Sequence, residues 1–142
     1  MANALYGLGR ESFLSQNPAI DWDTDNIKVL LVKTSSGYSV AIDTDQFVGN
    51  GTTPIATANQ IARSGNLSGK TVTLGVANAS GITFSAVSGA ASGALVVFKD
   101  TGSDATSPLI AYIDTATGLP VTPNGGDINV AWNTGANKIF KL

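Results

Sequence analysis

Cysteine and histidine are both missing from this chain, and glutamate occurs once, at Glu11. These absences exclude a disulfide, a Ser-His-Asp or Cys-His nucleophile, a zinc site of the usual kind and an imidazole titrating near neutral pH. They leave the redox compartment open. Charge is also scarce, with 13% charged residues and a net charge of −2. No two of the eight Lys and Arg are adjacent, whereas a nucleic-acid binder carries a basic stripe. Nucleic acid is therefore not expected as a partner. No apolar run approaches the roughly 18 residues of a membrane span. Residues 1–7 lack a basic region followed by an apolar run, so neither a membrane partner nor a signal peptide is expected, and synthesis in a cytoplasm is. Asn50, Asn66 and Asn78 open glycosylation-type triplets, read here as chance in a chain rich in Ser and Thr.

What is present is strand and turn chemistry. The 142 residues suffice for one domain that buries about 68–70% of its unfolded surface. Residues 27–34, 95–98 and 109–113 are apolar blocks of strand length. Val72, Leu74 and Val76 alternate with polar or small residues, as do Ile82, Phe84 and Ala86, and then Ile128, Val130 and Trp132. Residues 60–67 read as a weaker strand and 138–142 as a terminal apolar strip. Turn-forming stretches separate the blocks at 35–37, 78–81, 100–104, 116–120 and 123–127. Such punctuated alternation predicts an all-β fold, an antiparallel jelly-roll-like sandwich of about eight strands. The organisation expected is a single domain: an N-terminal helix or arm with its turn over residues 1–26, then the sandwich over 27–142.

The arm is the weak element. Asn3 is placed to cap a helix running to about Gln16, with Leu5, Tyr6, Phe13 and Leu14 on one broad face. Gly7 and Gly9 within it each cost about 1 kcal/mol relative to alanine, and so short a helix is marginal alone. It needs packing, either on its own sheet or on a partner. Leu5, Tyr6, Arg10, Phe13 and Leu14 are accordingly candidate contact residues. Trp22 is a lid on the sheet or a further contact anchor, and Trp132 is expected to pack inside. Residues 43–48 read as a single helical turn.

Few groups could carry chemistry. Asp100, Asp104, Asp114 and Asp127 sit at strand ends or turns, where aspartate stabilises Asx-turns, so no catalytic residue is assigned. Residues 64–71 imitate a phosphate-binding loop, but three residues instead of four separate Gly65 from Gly69, and an alternating strand follows where a helix is required. The stretch is expected to be a hairpin turn bearing a surface lysine. Residues 21–25 have the opening rhythm of a calcium loop. Asn26 and Val32 occupy the positions where glycine and a bidentate glutamate belong. That leaves a polar turn, or weak cation binding at a subunit contact. No cofactor and no resident metal are expected.

Two blocks carry a family likeness. Residues 1–14 (Met-Ala-Asn-Ala-Leu-Tyr-Gly-Leu-Gly-Arg-Glu-Ser-Phe-Leu) lead into the strand at Ile27, and residues 100–127 lead into the ending Asn-Lys-Ile-Phe-Lys-Leu at 137–142. Together they resemble small virion proteins of tailed bacteriophages encoded beside the major capsid protein. The resemblance implies a capsid cement or decoration subunit: a jelly-roll protein on the capsid exterior. Its partners would be the major capsid protein and further copies of itself, as a dimer or trimer. The contact residues above come from the reading of the arm, since no binding motif transfers from that family. A head-fibre base or tail-associated module that binds a host-surface glycan is the alternative, with Trp22 or Tyr112 as the stacking face. An aspartate-based hydrolase is the remaining class. Removal of residues 2–16 separates two roles for the arm, since a docking arm would leave a soluble sheet and a core arm would not.

Overall fold

Two strands without alternation lie at the centre of the molecule, and the reason is that both their faces are covered. The computed structural model describes residues 3–142. Strand β2 (Ile27–Val32) pairs antiparallel with β7 (Ala94–Lys99), from Ile27 opposite Lys99 to Val32 opposite Ala94. Val29, Leu31, Leu95 and Val97 point into one core, while Leu30, Val32, Val96 and Phe98 point into a second core on the other side. A strand buried on both faces reads as a continuous apolar run. Strand β8 (Leu109–Ile113) flanks β7, and the short β1 (Ala4–Leu5) pairs with β8. Strand β3 (Gln60–Arg63) closes the far edge of this five-stranded antiparallel sheet. Val97 faces Ala111 and Phe98 faces Leu109, so Ile110 is an extra residue on β8. That bulge turns both Ile110 and Ala111 into the first core.

The first core is roofed by two small sheets. One has the order β10 (Phe140–Lys141), β5 (Val76–Asn78), β4 (Thr71–Thr73), and the other joins β6 (Ile82–Phe84) to β9 (Ile128–Val130). Among the described residues this makes ten strands in three sheets with one α-helix, an all-β sandwich. The second core is roofed by residues 33–59, which contribute Tyr38, Val48 and Ile55, together with Tyr6.

The arm differs from its sequence expectation. Helix α1 spans Gly7–Ser15, with Tyr6 at its N-cap position and no side-chain cap. Asn3 is no cap: its side-chain oxygen accepts the N–H groups of Asp114 and Thr115 at 3.0 and 2.9 Å, and its amide donates to the Thr115 carbonyl. That clamp aligns residues 4–5 as a strand. The two glycines of α1 have a packing cause. A Cβ at Gly9 would collide with the Leu109 carbonyl, and one at Gly7 would lie 3.1 Å from the Asp43 backbone. Helix α1 therefore sits directly on β8, at a closeness alanine would forbid.

Three further expectations are corrected. The run 72–76 is not one strand, because Leu74 and Gly75 both have positive φ, 51° and 79°, and form the tight turn of the β4–β5 hairpin. A two-residue loop with positive φ at both positions has the twist that antiparallel strands need. Residues 64–70 do not turn: the N–H groups of Ser64 and Leu67 donate to Val29 and Ile27, so the chain continues along β2 before crossing to β4. Lys70 gives its ammonium to the Asp25 carbonyl. Residues 43–48 form no helical turn either. The turn lies at 41–45, closed by the Asp45 N–H on the Ala41 carbonyl at 2.8 Å, and Phe47 bridges to Pro108.

Ion pairs tie the ends of the central strands. Lys28 contacts Asp100 at 2.5 Å, Lys99 contacts Asp25 at 3.0 Å, and Arg63 contacts Asp104 at 2.8 Å. The hydrogen bond from Lys28, with help from the Gly102 N–H, holds the Asp100 carboxyl below the usual carboxylate range. A carboxyl with a depressed native pKa stabilises the fold above its unfolded value of about 4 and stops doing so as pH falls through the native value. The thermal midpoint should thus decline in acid below about pH 4, and Lys28→Met should flatten that decline. An equally steep decline in the variant would show that the pair contributes nothing.

Candidate interface

Four large apolar side chains are exposed among the described residues. Leu14, Val72, Leu74 and Leu142 are exposed by 81%, 52%, 89% and 49%. Val72 and Leu142, with Phe13, Ala77 and Phe140, line a groove of about 430 Å³ between α1, residues 20–23, the β4–β5 hairpin and β10. Its floor is aromatic. The Phe140 ring lies 5.9 Å from Phe13 and 5.2 Å from Trp22, the latter edge-on. Cross-strand pairing places Val72 beside Ala77 and Ala77 beside Phe140, so one apolar row runs across the small sheet from under α1 to the open edge of β4. Val72 ends that row half in water because no further strand covers it.

The rim is acidic. Asp21 and Asp23 line the groove mouth and hydrogen-bond to each other. The bond to Asp21 pushes the Asp23 carboxyl up, and bonds from Asp23 and Thr24 push that of Asp21 down. In the same loop the Asp25 N–H closes on the Asp21 carbonyl at 3.0 Å, and the Asp25 carboxylate accepts the Asp21 N–H at 2.7 Å. The loop is a turn fastened by its own backbone, with Asp25 engaged by Lys99.

The structure divides the sequence candidates. Phe13 and Trp22 meet at the groove and Leu14 follows Phe13 on α1, with Arg10 exposed on the same helix. Leu5 is half-buried against the first core. Tyr6 is corrected from a contact residue to a core residue: it is 0% exposed, in the second core, on the other side of the central sheet from Trp22. Trp22 is the lid, 3% exposed, its indole N–H donating to the Asn78 carbonyl at 3.0 Å. Tyr112 is buried at 5%, so neither ring offers a sugar a stacking face. Trp132 is half-buried at the rim of the first core and donates to the Ser80 carbonyl.

Val72, Leu74, Phe140 and Leu142 were read from the sequence as strand residues and not as contact residues. The available signal was Gly75 directly after an apolar residue in an alternating run, since a glycine inside a strand pattern marks a bend. Across the sheet, one further polar cluster stands out. Buried Asp45 accepts the Tyr38 hydroxyl at 2.7 Å, the Ala41 N–H at 2.9 Å, and both the N–H and the hydroxyl of Thr53 at 2.8 and 2.5 Å. Tyr38 in turn meets the Tyr6 hydroxyl at 3.0 Å. This network is enclosed and fully partnered, which suits it to holding residues 41–53 in place. No protein-family model matches the chain, and no curated protein is similar to it.

Proposed function

We propose that this chain is a structural virion protein, a cement or decoration subunit that binds the outside of a tailed-phage head and stabilises it by bridging capsid subunits. The likeness of residues 1–14, 100–127 and 137–142 to such proteins supports the reading. The observation that carries it is the apolar patch around the α1–hairpin groove, on a chain otherwise poor in charge and reactive groups. Large apolar side chains left together in water mark a surface that meets another protein. Repeated docking of identical subunits on a lattice adds avidity to contacts that are individually weak.

The reading predicts that purified protein adds to undecorated heads at a fixed stoichiometry and raises their disruption temperature. Leu14→Asp should weaken that binding by about tenfold or more, the worth of one buried leucine. Its own unfolding curve should stay unchanged, because the side chain is 81% exposed in the free subunit. Heads that neither retain the wild-type protein in sedimentation nor gain heat resistance would refute the proposal.

A further inference from the structure

Sheet edges offer unpaired N–H and C=O groups to any neighbouring strand, and proteins blunt them with shortness, charge or bulges. Strand β1 is two residues long, and β3 carries Arg63 and an irregular ladder with β2. Strand β4 is only three residues long, but it carries neither a charge nor a bulge. Thr71, Val72 and Thr73 are all exposed, all have high strand propensity, and their ladder with β5 is regular. Lys70, the nearest charge, is turned back onto the Asp25 carbonyl and does not guard the edge.

The hydrogen-bonding phase of this edge follows from its neighbours. The Ala77 carbonyl accepts the Ile139 N–H at 3.2 Å, so Ala77 directs its polar groups to the β10 side. Val72 lies opposite Ala77. In an antiparallel ladder, opposed residues that do not bond each other both turn their polar groups outward. Val72 therefore presents its N–H and C=O to open solvent at the centre of the exposed strand.

We propose that two copies of this chain pair through β4, antiparallel about a two-fold axis at Val72, fusing their small sheets into one. Val72 then faces Val72 of the second copy and exchanges both backbone hydrogen bonds with it. Thr71 faces Thr73, a favourable cross-strand pair, and Lys70 faces Leu74, so like charges never meet. This register continues the row Phe140–Ala77–Val72 across the axis and covers the open side of Val72, which is 52% exposed in the free chain. It leaves Leu14 and Leu142 free. The contact is smaller than the roughly 800 Å² per partner of a standard interface, so the dimer is concentration-dependent. Pairing is a property of the free chain and does not depend on head binding.

Sedimentation velocity from micromolar to near-millimolar protein tests it. The wild type should shift from the 14.4 kDa chain to twice that mass. Val72→Lys, which sets two ammonium groups face to face at a half-exposed site, should remain monomeric with an unchanged far-ultraviolet spectrum. Because the chain has no cysteine, single replacements report the register. Val72→Cys should cross-link under mild oxidation, its Cα spacing of about 5.5 Å lying within disulfide reach. Thr73→Cys, offset from the axis, should cross-link at least about tenfold more slowly. A wild type that stays monomeric throughout, or a Val72→Lys protein that dimerises equally well, overturns the proposal. Equal cross-linking of the two cysteine variants also overturns it.

Discussion

Replacing Asp45 by alanine should lower the stability of the fold by about 3–5 kcal/mol, because it strands one buried and three part-buried donors at once. The Tyr38 hydroxyl, the Ala41 N–H and both donors of Thr53 end on this one carboxylate, which is itself 1% exposed. Each buried donor left without an acceptor costs about 1–3 kcal/mol, although relaxation and entering water return part of the sum. Asp45→Asn keeps an acceptor oxygen but presents an amide where the other oxygen stood. About half the loss is expected from it. Urea unfolding gives the magnitude, and amide exchange locates it: protection over residues 41–53 should fall while that of β2 and β7 stays close to the global value. A loss below about 1 kcal/mol would show that the loop is held by Val48 and Ile55 rather than by the carboxylate.

Tyr6→Ala should be comparably damaging, at about 3–5 kcal/mol for a fully buried aromatic ring. Tyr6→Phe should cost only about 1 kcal/mol, since the ring keeps its edge-on contact with Tyr112 at 6.5 Å and only the hydroxyl link to Tyr38 is lost. The pair of variants separates packing from polar contribution. Tyr6 also governs behaviour in base. Burial pushes the hydroxyls of Tyr6 and Tyr38 well above the usual tyrosine range, so above about pH 10 the unfolded chain loses protons that the native chain keeps. Stability is then complete below the unfolded value and falls as pH rises, and Tyr6→Phe should soften that fall. By the same burial, removing residues 3–16 should abolish folding. A soluble, folded remainder would show that the arm is dispensable to the core.

Legibility in the sequence followed local chemistry and stopped where tertiary partners decide. The blocks at 27–34, 95–98 and 109–113 identified the central strands because an apolar run between turn signals has few other uses. That both faces of these strands are buried was implicit in the same lack of alternation. The 72–76 run misled because Leu74 takes a left-handed turn position at which Asn or Asp is usual. Alternation across a hairpin turn of two residues looks like alternation along one strand. Asn3 carried a correct hint of a fastening role and a wrong partner, since Asp114 and Thr115 lie more than a hundred positions away. For the candidate interface, Phe13, Leu14 and Trp22 were visible as large apolar residues near a weak helix. The row Val72–Ala77–Phe140 was not, because strand register, which periodicity does not encode, brings those three together.

The doubly covered central sheet has a consequence for how such a chain can change. With no strand face of β2 or β7 open to the outside, whatever the molecule recognises must be read by its coverings. Those coverings can be rewritten while the interior stays fixed. Exchanging residues 71–76 for a foreign hairpin of equal length should redirect what the subunit sits beside and leave its melting temperature nearly where it was.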